Sequence, residues 1–295
     1  MKPLREHLID PSSPDRRPRR AAYALPTLFT AGNVFLGFYA LIEVFIGAMQ
    51  TAQALASASM HFSNAALAIG VAVFLDGLDG RIARMTNTVS EFGREMDSLA
   101  DVITFGIAPA ILAFTWGIQF VGTPPPSVSL EEFRRAGYFL AFLFLLCGAA
   151  RLARFNIQKN PVPKNPGRPD RKYFVGLPIP SAAAVVASVV YAAGGAPLQW
   201  WGFSAAWLVL VGLLAFLMVS TWRYPSFKDL SLTRPRSPLT IILLASLIYM
   251  TWFYSQPVLL AISVCYVSSG IIIRLGGIVR RRLRPAPRAP EHQVG

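Results

Sequence analysis

The sequence predicts an all-α fold, a polytopic membrane helix bundle of about eight transmembrane helices with both termini cytoplasmic. Three observations carry that expectation. Of the 295 residues, 54% are hydrophobic and only 15% charged, whereas an ordinary soluble domain carries about 25% charged residues. The apolar residues come in long blocks near the ~20 residues that a helix needs to cross a bilayer. The basic residues, finally, gather on one side of those blocks, as they do around membrane-spanning helices. The same arithmetic excludes a disordered chain, a coiled coil, a disulfide-stapled secreted module and a collagen-like repeat. The two cysteines, Cys147 and Cys265, both fall inside apolar blocks, so neither a disulfide framework nor a zinc cluster is available. A net charge of +13 would by itself suit nucleic acid. Membrane topology accounts for it better, and no nucleic-acid partner is expected.

The first block, 26–48, follows a long polar start that ends in Arg16, Arg17, Arg19 and Arg20. A cleaved signal peptide has a shorter basic start and a shorter apolar core, so this reads as a retained first helix. The blocks 62–84 and 93–118 come next, joined by a short polar link from Thr86 to Ser90. Residues 119–133, with Pro124, Pro125, Pro126, Glu131 and Glu132, form the main extracytoplasmic loop, with His61 in another loop on that side. After the block 136–157, the stretch 158–177 is the main cytoplasmic loop, rich in Lys, Arg, Pro and Gly. Blocks at 178–195, 203–222, 238–255 and 257–280 complete the bundle. The tail from Arg280 is basic and proline-rich, and is expected to be disordered against anionic lipid. With a cytoplasmic N-terminus, every one of the 28 Lys and Arg residues except Arg134 and Arg135 falls on the cytoplasmic side. No internal repeat is evident, nor the inverted halves with broken helices that mark many transporters.

The chemistry lies where the acids cluster. Six of the fifteen acidic residues, Asp76, Asp79, Glu91, Glu95, Asp97 and Asp101, fall within 76–101, a window that also holds apolar membrane sequence. A carboxylate at the edge of the hydrocarbon costs a few kcal/mol unless it is paired, hydrated or bound to a cation. Asp76 and Asp79 are three residues apart, and Asp97 and Asp101 four apart, so each pair shares a helix face. On antiparallel helices the pairs can face each other. Four converging carboxylates repel, and hard divalent cations such as Mg²⁺ or Mn²⁺, which prefer oxygen ligands, resolve that repulsion. Two such ions ~4 Å apart can clamp a phosphoryl centre. Gly80 and Gly93 weaken their helices by ~1 kcal/mol each relative to alanine, but let a bulky ligand approach the backbone. Arg84, one turn beyond Gly80, is placed to reach a phosphate. No histidine is near, since His7 and His292 are in the tails, so any general base is a carboxylate. Asp101, the deepest along its helix, is the candidate. Glu43 alone fits the other class of function considered, a cation transporter with intramembrane carboxylates.

Read together, these residues are Asp76-x-x-Asp79-Gly80-x-x-Ala83-Arg84, then eight residues, then Gly93-x-x-x-Asp97-x-x-x-Asp101. The pattern resembles the signature of the CDP-alcohol phosphatidyltransferase family, with every fixed position matched. The stretches LPTLFTAGNVFLGF (25–38), SEFGREMDSLADVITFGIAPA (90–110), RLARFN (151–156) and GLPIPSAA (176–183) look like its phosphatidylserine synthase branch. The resemblance implies a membrane enzyme that displaces CMP from CDP-diacylglycerol with an alcohol, at the cytoplasmic face of what is expected to be the bacterial inner membrane. It implies Asp76, Asp79, Asp97 and Asp101 as ligands of Mg²⁺ or Mn²⁺, with two ions expected, and Asp101 as the group that takes the proton of the alcohol. Gly80, Ala83, Arg84 and Gly93 would line the cytidine diphosphate pocket, joined by Thr30 and Asn33 of the first helix. By the branch it resembles, the expected acceptor is L-serine, whose carboxylate and amino group Arg151, Arg154 and Asn156 could hold; choline, inositol and glycerol 3-phosphate are the alternatives. The family is typically homodimeric. Its common core has six helices, so the division expected here is a cytoplasmic tail (1–22), the family's membrane core (23–222), two further transmembrane helices (223–280) and a basic tail (281–295).

Overall fold

A computed structural model describes residues 17–50, 55–86, 91–125, 128–159, 173–225 and 238–283 of the chain. All eight apolar blocks are helical in it. Helix α1 (Arg17–Gln50) begins inside the basic start, and α2 (Leu55–Thr86) runs back beside it. The third span begins as α3 (Glu91–Asp101), passes through a π-helical turn at Val102–Ile107, continues as α4 (Ala108–Phe114) and ends in a second π-helical turn at Thr115–Gln119. The remaining helices are α5 (Leu130–Lys159), α6 (Ile179–Ala192), α7 (Trp201–Val219), α8 (Pro238–Phe253) and α9 (Ser255–Leu283).

Six of these stretches are long and apolar enough to cross a membrane: Leu28–Gln50, Ser57–Leu78, Phe92–Gln119, Leu130–Ile157, Trp201–Val219 and Ser255–Arg274. Helix α6, with 14 residues, and α8, with 16, are shorter than the ~20 residues of a full span. The protein is an all-α integral membrane bundle. Its surface confirms the solvent, because large side chains such as Phe35, Phe45, Phe74, Phe139, Phe216 and Trp252 stand exposed around the outside, where lipid rather than water covers them.

Packing is tightest between α1 and α2, and α6 is set against α2, α7 and α9. Small residues make this possible. Ala40, Ala58, Ala65, Ala72, Ala182 and Ala183 are buried at the helix contacts, the usual means by which membrane helices approach without a hydrophobic driving force. The third span is pinned by side chains to both neighbours. Thr104, in the first π-turn, donates to the carbonyl of Asn33 on α1 (3.0 Å), and the Trp207 indole of α7 donates to the carbonyl of Ala113 (2.9 Å).

Two features differ from the sequence expectation. His61 does not lie in a loop: it is in the second turn of α2, where its Nδ1 meets Glu43 of α1 at 2.7 Å. The pair satisfies a carboxylate and an imidazole that would otherwise be costly in a membrane. The stretch expected to be the cytoplasmic loop 158–177 contains a strand, β1 (Tyr173–Val175), paired antiparallel with β2 (Arg223–Pro225). Gly176 follows β1 with φ 77°, a conformation that glycine adopts without strain, and turns the chain into α6. Residues 160–172 of that loop and the expected tails at 1–16 and 284–295 lie outside the described residues.

Candidate active site

One end of the bundle collects the polar groups. The C-terminal part of α2 supplies Asp76, and α3 supplies Asp97 and Asp101. One carboxylate oxygen from each of the three lies within 4.8 Å of the other two. Asp101 is buried, and Asp76 and Asp97 are half-buried. The i,i+4 spacing puts Asp97 and Asp101 on one face of α3 as expected, and the antiparallel approach of α2 adds Asp76. Asp79, Gly80, Ala83 and Arg84 continue α2 to its end, but their side chains lie outside the described residues. Gly93 lies half-buried in the first turn of α3, on the approach to Asp97.

A cavity of about 190 Å³ opens beside these carboxylates. Its acidic wall is α3, with Asp97 and Asp101. Its opposite wall is the C-terminal part of α5, with Arg151 and Asn156, and its third side is the opening turn of α6, Pro178 to Pro180. Arg151 is only 9% exposed. It shares the cavity lining with Asp97 and Asp101, with Arg154 one turn away on α5, while its Nε has no hydrogen-bond partner among the described residues. An unsatisfied buried donor costs about 1–3 kcal/mol, so the arrangement suits an anionic ligand. The amide of Asn156 donates to Ser98 Oγ at 2.8 Å, and Ser98 in turn donates to the carbonyl of Arg94 at 3.0 Å. Arg154 points elsewhere, toward the carbonyl of Val219 at the end of α7 (3.5 Å).

Thr30 and Asn33 are buried on α1, at 6% and 1% exposure. Neither end of the Asn33 side-chain amide has a hydrogen-bond partner among the described residues. The π-helical turn directly after Asp101 lies against this stretch of α1, through the Thr104 to Asn33 bond. Such turns insert a residue into a helix and recur at functional sites.

Ser98 was not singled out from the sequence, yet it carried a readable signal: Arg94, Asp97, Ser98 and Asp101 are spaced i, i+3, i+4 and i+7, one stripe of a helix, and all four line the cavity.

The donor set fits a hard divalent cation. Three carboxylates from two helices present only oxygen, the ligand type that Mg²⁺ and Mn²⁺ prefer, and their proximity is unfavourable unless a positive charge offsets it.

Comparison with known proteins agrees with this chemistry. A family model for CDP-alcohol phosphatidyltransferase matches residues 23–214. The chain is 38% identical over 211 residues to the CDP-diacylglycerol–serine O-phosphatidyltransferase of Helicobacter pylori, covering 72% of this chain and 76% of that protein. It is 33% identical over 208 residues to the protein of the same name from Bacillus subtilis, covering 69% and 91%. It is 31% identical over 204 residues to the archaetidylserine synthase of Methanothermobacter thermautotrophicus, covering 68% and 70%. With the acidic signature in place on facing helices and the match spanning most of the bundle, the chain belongs to the CDP-alcohol phosphatidyltransferase family.

Proposed function

We propose that the protein transfers the phosphatidyl group of CDP-diacylglycerol to the hydroxyl of L-serine, giving phosphatidylserine and CMP. The observation that carries this reading is the pairing of walls in one cavity: a cluster of carboxylates faces a buried, incompletely hydrogen-bonded arginine. The first suits a metal-bound diphosphate and the second an acceptor that carries a carboxylate. The names of the relatives point to the same acceptor.

On this reading Thr30, Asn33, Gly80, Ala83, Arg84 and Gly93 hold the cytidine diphosphate, and the buried amide of Asn33 gains the partners it otherwise lacks. Arg151 takes the serine carboxylate, with Asn156 beside it; Arg154, expected from the sequence to share this role, is turned toward the carbonyl of Val219 instead. The serine hydroxyl oxygen attacks the phosphorus that bears diacylglycerol, and the bond from that phosphorus to the bridging oxygen breaks, so CMP leaves with that oxygen. Asp101 accepts the hydroxyl proton. Mg²⁺ or Mn²⁺, held by Asp76, Asp79, Asp97 and Asp101, would supply charge neutralisation at the phosphoryl oxygens and the leaving group when bound. Direct in-line attack suits a cavity whose described lining offers no cysteine or histidine, and whose serine, Ser98, donates to the carbonyl of Arg94 and accepts from Asn156 rather than pairing with a base. The site faces the cytoplasmic leaflet of a bacterial inner membrane, both termini are cytoplasmic, and the enzyme is a homodimer; the one-sided distribution of Lys and Arg and the family resemblance support these placements. Residues 23–222 form the catalytic core, and 223–280 form two added spans.

The test is CMP release by the purified protein from CDP-diacylglycerol with Mn²⁺, comparing serine, glycerol 3-phosphate, inositol, choline and water. Serine-dependent release is the expected result. Release only with glycerol 3-phosphate, the other anionic acceptor, would keep Arg151 as anion partner and replace the alcohol. Release with choline or inositol alone would remove the role of Arg151.

A further inference from the structure

The bond between Ser98 and Asn156 joins the two walls of the cavity, and its polarity decides which end of an amide is left for a ligand. Ser98 is on α3, between Asp97 and Asp101, and Asn156 is near the end of α5. They are 58 positions apart in sequence, and both line the cavity. Ser98 Oγ donates to the carbonyl of Arg94, four residues earlier on the same helix (3.0 Å), the local bond that serine and threonine form inside helices. A hydroxyl has one proton and two lone pairs. With its proton committed to Arg94, Ser98 can only accept from Asn156, and it does so at 2.8 Å. An asparagine side chain donates through its nitrogen alone, so the nitrogen is held at Ser98. The carbonyl oxygen at the other end of the amide has no hydrogen-bond partner among the described residues.

The rest of the cavity gives that oxygen a use. Arg151, buried with an Nε that lacks a partner, is the cation for an acceptor's carboxylate. An α-amino acid also carries an ammonium group, which has only donors to offer and needs an acceptor. A neutral amide oxygen meets it without adding another negative charge beside Asp76, Asp97 and Asp101, whose mutual repulsion a further carboxylate would increase. Asn156 follows Arg151 by five residues, about 7.5 Å along the axis of α5. A small zwitterion with a hydrogen bond of about 2.9 Å at each end can span that gap.

We infer that Ser98 is a positioning residue for the choice of acceptor: it holds the Asn156 amide by its nitrogen, so that the Asn156 carbonyl oxygen takes the ammonium of an amino-acid acceptor whose carboxylate is on Arg151. This deepens the function proposed above and rests on it. The two partners together select a zwitterion. An acceptor with a carboxylate and a hydroxyl but no amino group satisfies only Arg151. Without the Ser98 hydroxyl the amide is free to turn over and present its own N–H groups to the ammonium, donor against donor.

The test measures steady-state CMP release by the full-length protein with Mn²⁺ and two acceptors, L-serine and 3-hydroxypropionate, which is serine without its amino group. Ser98→Ala should raise the KM for serine by about threefold to tenfold, the scale of one hydrogen bond, with kcat and the KM for CDP-diacylglycerol within twofold of wild type. The preference for serine over 3-hydroxypropionate, as a ratio of kcat/KM values, should fall by the same factor. Ser98→Thr keeps a hydroxyl that can bond the carbonyl four residues earlier, and should restore both quantities to within twofold of wild type. In an Asn156→Ala background, Ser98→Ala should change the serine KM by less than twofold. The inference is overturned if Ser98→Ala leaves the preference between the two acceptors unchanged, if Ser98→Thr fails to restore it, or if Ser98→Ala acts as strongly without Asn156. A fall in kcat at an unchanged serine KM would overturn it too, since the hydroxyl would then serve the neighbouring Asp97 and Asp101. Wild-type protein that does not use serine would remove the proposed function and this inference together, whereas wild-type serine kinetics in Ser98→Ala would remove the inference alone.

Discussion

Replacing Asp97 by asparagine tests whether the three carboxylates are held together for a cation. Their nearest oxygens lie within 4.8 Å of one another. At an effective dielectric of about 20, two like charges at that distance repel by about 3.5 kcal/mol, so three such pairs amount to about 10 kcal/mol before solvent screening. Asp97→Asn removes two of the three pairs. Asp76 and Asp97 are only half-buried, and screening reduces the relief to a few kcal/mol. Without metal, then, the variant should be the more stable protein. With metal the order should reverse, because asparagine keeps an oxygen donor but loses the charge. The assay is thermal unfolding in detergent, followed by tryptophan fluorescence, with EDTA and then with Mn²⁺ or Mg²⁺. The expected result is a Tm for Asp97→Asn a few degrees above wild type in EDTA, with a much larger Mn²⁺-induced rise in wild type than in the variant. Turnover should fall by a hundredfold or more, since a bound metal supplies several kcal/mol of transition-state stabilisation. A wild-type Tm indifferent to every divalent cation would refute the argument, and so would an Asp97→Asn variant with near-normal turnover.

Two further predictions concern groups away from the carboxylates. Tyr224 is fully buried and its hydroxyl has no hydrogen-bond partner among the described residues; burial first, and then nearby Tyr266, push its phenol up to about 12. A proton held more tightly in the folded state gives a contribution that is complete below pH ~10 and is lost as pH rises toward about 12. Tyr224→Phe, which also removes the unsatisfied hydroxyl, should therefore exceed wild type in Tm already at pH 8 and by a wider margin at pH 11, and parallel losses in both proteins would contradict this. Glu43 pairs with His61 at 2.7 Å and with Asn64 at 3.5 Å, roughly 22 Å along α2 from Asp76 at 1.5 Å per residue. Glu43→Gln should keep CMP release within twofold of wild type; a collapse of turnover would show that a carboxylate far from the cavity takes part, as an ion path through the bundle requires.

What was legible in the sequence follows the range of the physics involved. Long apolar blocks announce helices because lipid demands that every backbone group be bonded within its own segment, so all eight blocks are helical, but polar flanks extend three of them by six to nine residues at the start, and Glu131 and Glu132 of the expected loop 119–133 lie in the first turn of α5. The spacing of Asp76, Asp97 and Asp101 was legible because it is local, and a helix converts i,i+3 and i,i+4 into a shared face. The π-turns at Val102–Ile107 and Thr115–Gln119 were not. An apolar run buried among other apolar helices shows no periodicity that an inserted residue could break, and Thr104, Phe105 and Gly106 are buried together. The β1–β2 pairing joins Tyr173 to Pro225 across 52 residues of sequence, and three-residue strands carry no pattern of their own. His61 read as a loop residue because the apolar block after it reads from 62, whereas the helix begins at Leu55, and its partner Glu43 lies eighteen positions away on another helix.

The same distinction of range separates the two walls of the cavity. The acidic wall comes from residues 76–101, one helix pair and one short link, so its geometry depends on local spacing alone. The facing wall is assembled from the end of α5 and the first turn of α6, elements far apart in sequence that only the packing of the bundle brings together. On the proposed function, cleavage of the diphosphate depends on the first wall, and the choice of alcohol on the second, where Arg151 is buried with an unsatisfied donor. Substitutions on the second wall should thus change which alcohol is used before they change whether the diphosphate is cleaved. Arg151 and Asp101 line the same cavity, so on the proposed function Arg151→Ala should raise the KM for serine more than that for CDP-diacylglycerol, and equal rises would reduce it to a topological charge.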